Sequence, residues 1–247
     1  ANIANEAAIG AARRNSKEIS NADVTEAFER VAIGAVRKSK IMNDQERRIT
    51  AYHEAGHAIV GHVLPDSDPV HKVTIIPRGR TGGVTWFLPP EDRSYKNVFE
   101  LKDVLARAMG GRMAEKIIFG EDSITTGASS DLKSVAELAR DMVVDEGMGK
   151  ELRNMVFPTN DGSYYSIGGD KNYSEKTAER IDAEVKVLTD EAVKRAEIIL
   201  IFVALICGII QMKYQDEKEL LEKETLEESE LEPILNGAKL PKEADLH

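Results

Sequence analysis

Apolar residues recur at helical spacing along most of this chain, and the places where that period breaks divide it into elements. Residues 2–14 put Ile3, Ala7, Ala8 and Ala11 on one helical face before Asn15 and Ser16 interrupt it. Ser20 then precedes a second helix whose apolar face is Val24, Ala27, Phe28, Val31 and Ala32. The polar, basic Arg37-Lys38-Ser39-Lys40 reads as a linker, with a boundary near Lys40. A third helix is predicted from Asp44 to Val63, with Ile49, Tyr52, Ala55, Ile59, Val60 and Val63 facing inward and Pro65 ending it. The period then changes. Residues 73–76 and 84–88 are β-branched and aromatic runs, separated by Gly79, Gly82 and Gly83 and closed by Pro89-Pro90, which predicts a hairpin or two neighbouring strands. Helical spacing returns from Val98 to Phe119, and Gly120 to Gly127 reads as a loop. Ser129 or Ser130 caps a further helix with Leu132, Val135, Ala136, Ala139 and Val143 on its apolar face. Residues 147–173 read as irregular, a long helix starts near Ser174, and a short one covers 216–224. The acidic end, with Pro233, Gly237 and Pro241, reads as frayed. The fold class expected is mainly α with a small β hairpin or sheet.

Ile198 to Ile210 is an uncharged apolar run of thirteen residues. A membrane span needs about 20 residues, so this run is expected to be a helix buried in the core or in a subunit contact, because it is apolar all round, with a membrane-surface contact as the alternative. Only 5% of residues are aromatic, which favours helices over an all-β sandwich. The net charge of −10 argues against a nucleic-acid partner, which calls for a basic stripe. The single cysteine, Cys207, rules out a disulfide framework and a cysteine-based zinc site. The chain opens on Ala1 without a signal peptide, and is expected to be a soluble fragment of a longer protein.

The chemistry is concentrated in His53-Glu54-Ala55-Gly56-His57, an H-E-x-x-H string inside the third helix. Residues four apart share a helical face, so both imidazoles can grip one zinc ion. Glu54, beside the first histidine, is placed to act as general base on a water at the ion's open position. Gly56 is a poor helix former between the ligands, which suggests close packing there. A catalytic zinc takes a third protein ligand. Position 63 is valine, so a histidine six residues after His57 is excluded, and His62 stands on the wrong face for the same metal. His62 and His71 read as ordinary polar positions. The carboxylates of Glu115 and Asp131 remain as candidates, and spacing does not choose between them. Glu115 could equally support an imidazole N–H.

Several strings together resemble the FtsH-type AAA+ zinc metalloproteases. They are His53 to His57, Asp68 to Gly79, Gly110-Gly111-Arg112-Met113-Ala114-Glu115, and Thr126-Gly127-Ala128-Ser129-Ser130-Asp131-Leu132, in the family's order. The resemblance implies that Asp131 is the third zinc ligand and that Glu115 is a supporting residue near the site. It implies a mainly helical, zincin-like peptidase domain over 41–230, with the end of a helical AAA+ lid at 1–40 and a flexible tail at 231–247. It further implies a homo-hexameric parent protein anchored in a membrane by a segment outside this chain, acting on unfolded or membrane-extracted polypeptides. The parent is expected on the cytoplasmic face of a bacterial inner membrane, or alternatively in an organelle membrane. No G-x-x-x-x-G-K-[ST] phosphate loop is present, so ATP and Mg2+ would enter only through an ATPase core outside this chain. The run 198–210 stands where the family has a charged amphipathic helix.

The leading expectation is a zinc endopeptidase. The alternative is a non-catalytic ring-assembly or chaperone module, against which His53, Glu54, His57 and Asp131 all stand intact. A zinc hydrolase of small molecules is a further rival, disfavoured by the strand pair. An exposed edge of that pair could receive an extended peptide through main-chain hydrogen bonds.

Overall fold

The computed structural model describes residues 2–32, 34–36, 42–78, 81–91, 93–157, 173–206 and 220–236. Helices α1 (Asn2–Arg13) and α2 (Asn21–Ala32) form an antiparallel pair. Ala7, Ala11 and Ala27 fill its interior, and Arg14 reaches Asp23 at 2.5 Å to fasten the turn between them. Helix α3 (Asp44–Val63) starts at a capping box in which Asn43 and Glu46 satisfy each other's backbone N–H groups. A small antiparallel sheet follows, with β1 (Val70–Thr74) between β2 (Val84–Phe87) and β3 (Thr225–Glu227). Helices α4 (Val98–Phe119), α5 (Ser129–Val144) and α6 (Glu175–Ile206) complete the helical body, and α7 (Glu228–Leu235) closes the described chain.

Two apolar clusters hold these elements. The larger joins α3 through α6 around Leu105, Met142, Ile181 and Ile199, and the smaller joins α3 to the sheet and α7 around Ile75, Leu226 and Leu231. Helices α3 and α4 cross in close contact at their glycines. A Cβ on Gly56 would lie 2.7 Å from the Ala114 Cβ, and one on Gly110 would lie 2.5 Å from the Gly56 carbonyl oxygen. Each glycine makes room for the other helix's backbone, which is the packing need that Gly56 suggested.

The predicted mainly α body with a small sheet is what the structure shows, with three differences. First, β3 adds a third strand whose partner lies some 150 residues away in sequence, between Thr74 and Thr225. Three residues carry no readable period, so only the tertiary pairing reveals it. Second, residues 231–235, placed by sequence in a flexible tail, belong to α7. Leu231 and Leu235, four apart, bury against the sheet cluster, and Glu227 and Glu230 cap the helix start, which outweighs Pro233 inside it. Residues 237–247 lie outside the described residues. Third, the apolar run continues α6 as far as Ile206, with Ile199, Leu200 and Val203 in the core but Ile198 and Ile201 exposed. Residues 207–210 of that run, the linker 37–40 with its proposed boundary, and 158–172 of the irregular stretch also lie outside the described residues. Among the described residues no helix is long and apolar enough to cross a membrane.

The α1–α2 pair rests on the sheet through two contacts. The Phe28 and Trp86 rings stack with centroids 5.1 Å apart, and Glu29 bridges Lys72 and Arg78. Glu29 is 2% exposed and Lys72 is 7% exposed, so this pairing is made out of water, where leaving either charge alone is costly.

Candidate metal centre

One turn of α3 aims His53 and His57 at α4 and at the start of α5. His57 Nδ1 lies 2.8 Å from the Arg107 carbonyl oxygen. A carbonyl only accepts, so Nδ1 carries the proton and Nε2 keeps its lone pair. His53 Nδ1 lies 2.7 Å from Glu115 Oε1, and Glu115 takes a second hydrogen bond from the Thr125 backbone N–H at 2.8 Å. Glu115 thus fixes the His53 ring and also ties down the loop that leads, through the short turn Thr126–Ala128, to Asp131 in the first turn of α5.

The three remaining donor atoms converge. His53 Nε2 is 3.1 Å from His57 Nε2 and 3.2 Å from Asp131 Oδ2, and His57 Nε2 is 3.8 Å from the same oxygen. Ligand atoms ~2.0–2.1 Å from a tetrahedral ion lie roughly 3.3–3.4 Å apart, so these spacings suit zinc. Among the described residues, His53, His57 and Asp131 are the one group of three or more such side chains that could hold a metal ion. Gly111 borders the same space: a Cβ there would lie 2.6 Å from both Nε2 atoms. The Gly110-Gly111 pair therefore divides its work, the first serving the helix crossing and the second leaving the metal's surroundings open. His71 stands elsewhere, at the sheet beside Trp86 and Glu228.

The electrostatics describe a hole for a cation. Burial opposes a charge on His53, but the hydrogen bonds it donates to Asp131 and Glu115 and the negative charge of Glu54 win and push its pKa up to about 10. Burial, together with the charged His53, pushes His57 down to about 4. Asp131 and Glu115 are both held below the usual carboxylate range: burial raises them, and the histidines and the Thr125 N–H more than offset it. Glu54 is 5% exposed. Burial raises its pKa to about 7, against the lowering effects of His53 and of hydrogen bonds from Thr85. A carboxylate poised near neutrality suits a general base.

A metal must displace the proton that His53 carries. The raised pKa means that this proton is bound throughout the range below about 10. Near neutral pH, binding of one zinc ion is therefore expected to release about one proton, with apparent affinity rising about tenfold per pH unit. Calorimetry in buffers of different ionisation enthalpy measures this. Affinity independent of pH between 7 and 9 would contradict the assignment of that proton to the site.

All five residues singled out in the sequence fall in one place: His53, His57 and Asp131 around the metal space, Glu54 beside it and Glu115 behind His53. Sequence reasoning missed Thr85, whose hydroxyl meets Glu54, and the Arg107 carbonyl, which no side-chain pattern could reveal. It also missed the role of Gly111, although two adjacent glycines inside a long helix are a signal of close approach.

The model of peptidase family M41 matches residues 40–234. The chain is 45% identical to the ATP-dependent zinc metalloprotease FtsH 3 of Synechocystis sp., over 97% of this chain and 39% of that protein. It is 42% identical to the ATP-dependent zinc metalloprotease FtsH 1 of Thermoanaerobacter sp., over 96% of this chain and 38% of that protein. It is also 40% identical to the chloroplastic ATP-dependent zinc metalloprotease FTSH 1 of Arabidopsis thaliana, over 93% of this chain and 32% of that protein. The chain thus spans less than two fifths of the length of each of these relatives. The family match takes in both histidines, Glu54, Glu115 and Asp131, and the chain belongs to peptidase family M41.

Proposed function

We propose that this chain is the proteolytic part of a membrane-anchored, ATP-dependent zinc endopeptidase. The observation that carries this reading is the convergence of His53 Nε2, His57 Nε2 and Asp131 Oδ2 beside the buried carboxylate of Glu54. His53, His57 and Asp131 hold the ion. Bound zinc supplies Lewis acidity, lowering the pKa of water towards ~7 and polarising a carbonyl. Glu54 takes the proton from the attacking water on its carboxylate and delivers it to the leaving amine nitrogen. Glu115 and the Arg107 carbonyl hold the two imidazole N–H groups and so keep both Nε2 atoms turned to the ion.

The substrate is an unfolded or membrane-extracted polypeptide. Strand β2 pairs with β1 on one side, and among the described residues no strand pairs with its other edge. Its side chains are half-buried, and Thr85 in its middle contacts Glu54. An extended peptide added along that edge would run past the base with its backbone, giving loose sequence preference. Residues 1–40 are the end of a helical AAA+ lid, and the docking of α2 on the sheet supports its attachment to the peptidase body. The parent is a homo-hexamer on the cytoplasmic face of a bacterial membrane, or in an organelle membrane as the chloroplastic relative suggests. The assembly-module alternative is not favoured, since no residue of the metal group or the base is missing.

The test is cleavage of an unfolded protein by the zinc-loaded chain. Activity that a chelator stops and added zinc restores is the expected result. Hydrolysis of a simple ester without any cleavage of polypeptide would contradict the reading and support a small-molecule hydrolase.

A further inference from the structure

One hydroxyl on β2 lies within hydrogen-bond reach of two Glu54 oxygens, and its single proton serves one of them at a time. The Thr85 hydroxyl lies 2.8 Å from Glu54 Oε2 and 2.9 Å from the Glu54 carbonyl oxygen. Both of those atoms are acceptors when the carboxylate is ionised, and the hydroxyl is the donor set between them. Two residues earlier, on the same side of the chain, Gly83 faces the other carboxylate oxygen. A Cβ at Gly83 would lie 2.7 Å from Glu54 Oε1 and 2.9 Å from Glu54 Cγ, and also 2.7 Å from the Thr74 carbonyl oxygen. The absence of a Cβ at Gly83 therefore leaves room for the Glu54 side chain against β1. Trp86, the next residue after Thr85, points to the other face and stacks on Phe28, which pins the strand from behind.

We infer that Thr85 is a positioning residue for Glu54, holding its carboxylate at the metal centre from the strand along which the peptide is proposed to lie. The inference rests on the reading of Glu54 as the general base. A glutamate has three side-chain rotors, and a bare buried cavity would leave its carboxylate several orientations. The Thr85 donor selects one of them, with Oε2 bound to the strand and Oε1 over Gly83. A base displaced by about 1 Å costs roughly 10²-fold in rate. Since β2 carries both the base's anchor and an edge that pairs with no other strand among the described residues, substrate pairing and base placement share one strand.

Thr85→Val keeps the β-branched shape and removes only the donor, and Thr85→Ser restores the hydroxyl. In the zinc-loaded chain, with an unfolded protein as substrate, Thr85→Val is expected to lower kcat about 10- to 100-fold. Its KM and zinc stoichiometry should stay within about twofold of wild type, with Thr85→Ser recovering kcat to within about threefold. In a Glu54→Gln background, Thr85→Val should cause no further loss. Crystal structures of the metal-free variants should show the Glu54 carboxylate in one position in the wild type and Thr85→Ser, and displaced in Thr85→Val. An undisturbed kcat in Thr85→Val, an equal loss in Thr85→Ser, or an unmoved carboxylate in Thr85→Val overturns the inference. A Glu54→Gln chain that cuts as fast as wild type would instead sink the reading of Glu54 as base. The crystal structures then decide the positioning claim by themselves.

Discussion

Glu54→Gln is expected to bind zinc as the wild type does and to lose about 10²–10⁴-fold in the rate of polypeptide cleavage, the usual contribution of a general base. The expectation comes from where the carboxylate stands. Glu54 is adjacent to His53 in the same helical turn, is 5% exposed, and is not one of the three converging donors. Glutamine keeps the size of the side chain and an oxygen that can still accept from Thr85, so the fold and the metal ligands are left alone. What it removes is the capacity to take up a proton. Zinc stoichiometry by metal analysis and cleavage of an unfolded protein check the two halves separately. A variant that retains zinc and wild-type cleavage would show that the proton goes elsewhere. A variant that loses zinc would show that Glu54 is a ligand after all.

Gly111→Ala is expected to weaken zinc binding at least ~10-fold while leaving the helix intact. The added Cβ would lie 2.6 Å from the Nε2 atoms of both His53 and His57, well inside contact distance. Neither ring can turn aside cheaply, because Glu115 and the Arg107 carbonyl hold their Nδ1 atoms. Helix α4 itself gains, since alanine is favoured over glycine in a helix interior by ~1 kcal/mol. The expected result is a folded chain whose zinc affinity falls at least ~10-fold, the lower end of what disturbing a ligand's supporting contacts costs. Circular dichroism and zinc titration together measure it. Wild-type affinity in this variant would mean that the rings stand differently when the metal is bound.

The parts of this site legible in the sequence are those contained in one helical turn. His53, Glu54 and His57 follow from a spacing that helix geometry converts directly into proximity. Asp131 does not, because its approach depends on how α4 crosses α3 and how residues 120–128 turn back; there the resemblance to a family chose what spacing left open. Glu115 was legible as an acidic residue near the site, but its double duty to His53 and Thr125 is a tertiary fact. The same limit applies to the fold. Helices α3 and α4 announce themselves by period, whereas β3 is three residues long and exists through its pairing with β1. The described turn of the apolar run at 198–203 shows the converse: a sequence apolar on every side has one face in the core and leaves Ile198 and Ile201 outside it. The pattern states what is apolar, and only the neighbours decide which side is covered.

The central claim is that His53, His57 and Asp131 hold one zinc ion, and X-ray absorption at the zinc edge tests it most directly. The zinc-loaded chain is expected to show two imidazole nitrogens at ~2.0–2.1 Å with the remaining positions filled by oxygen, and Asp131→Ala should bind zinc at least ~10-fold more weakly. A sulfur neighbour, which could come only from Cys207 or a methionine, would contradict the account. So would a third imidazole, or zinc affinity undiminished by removal of Asp131.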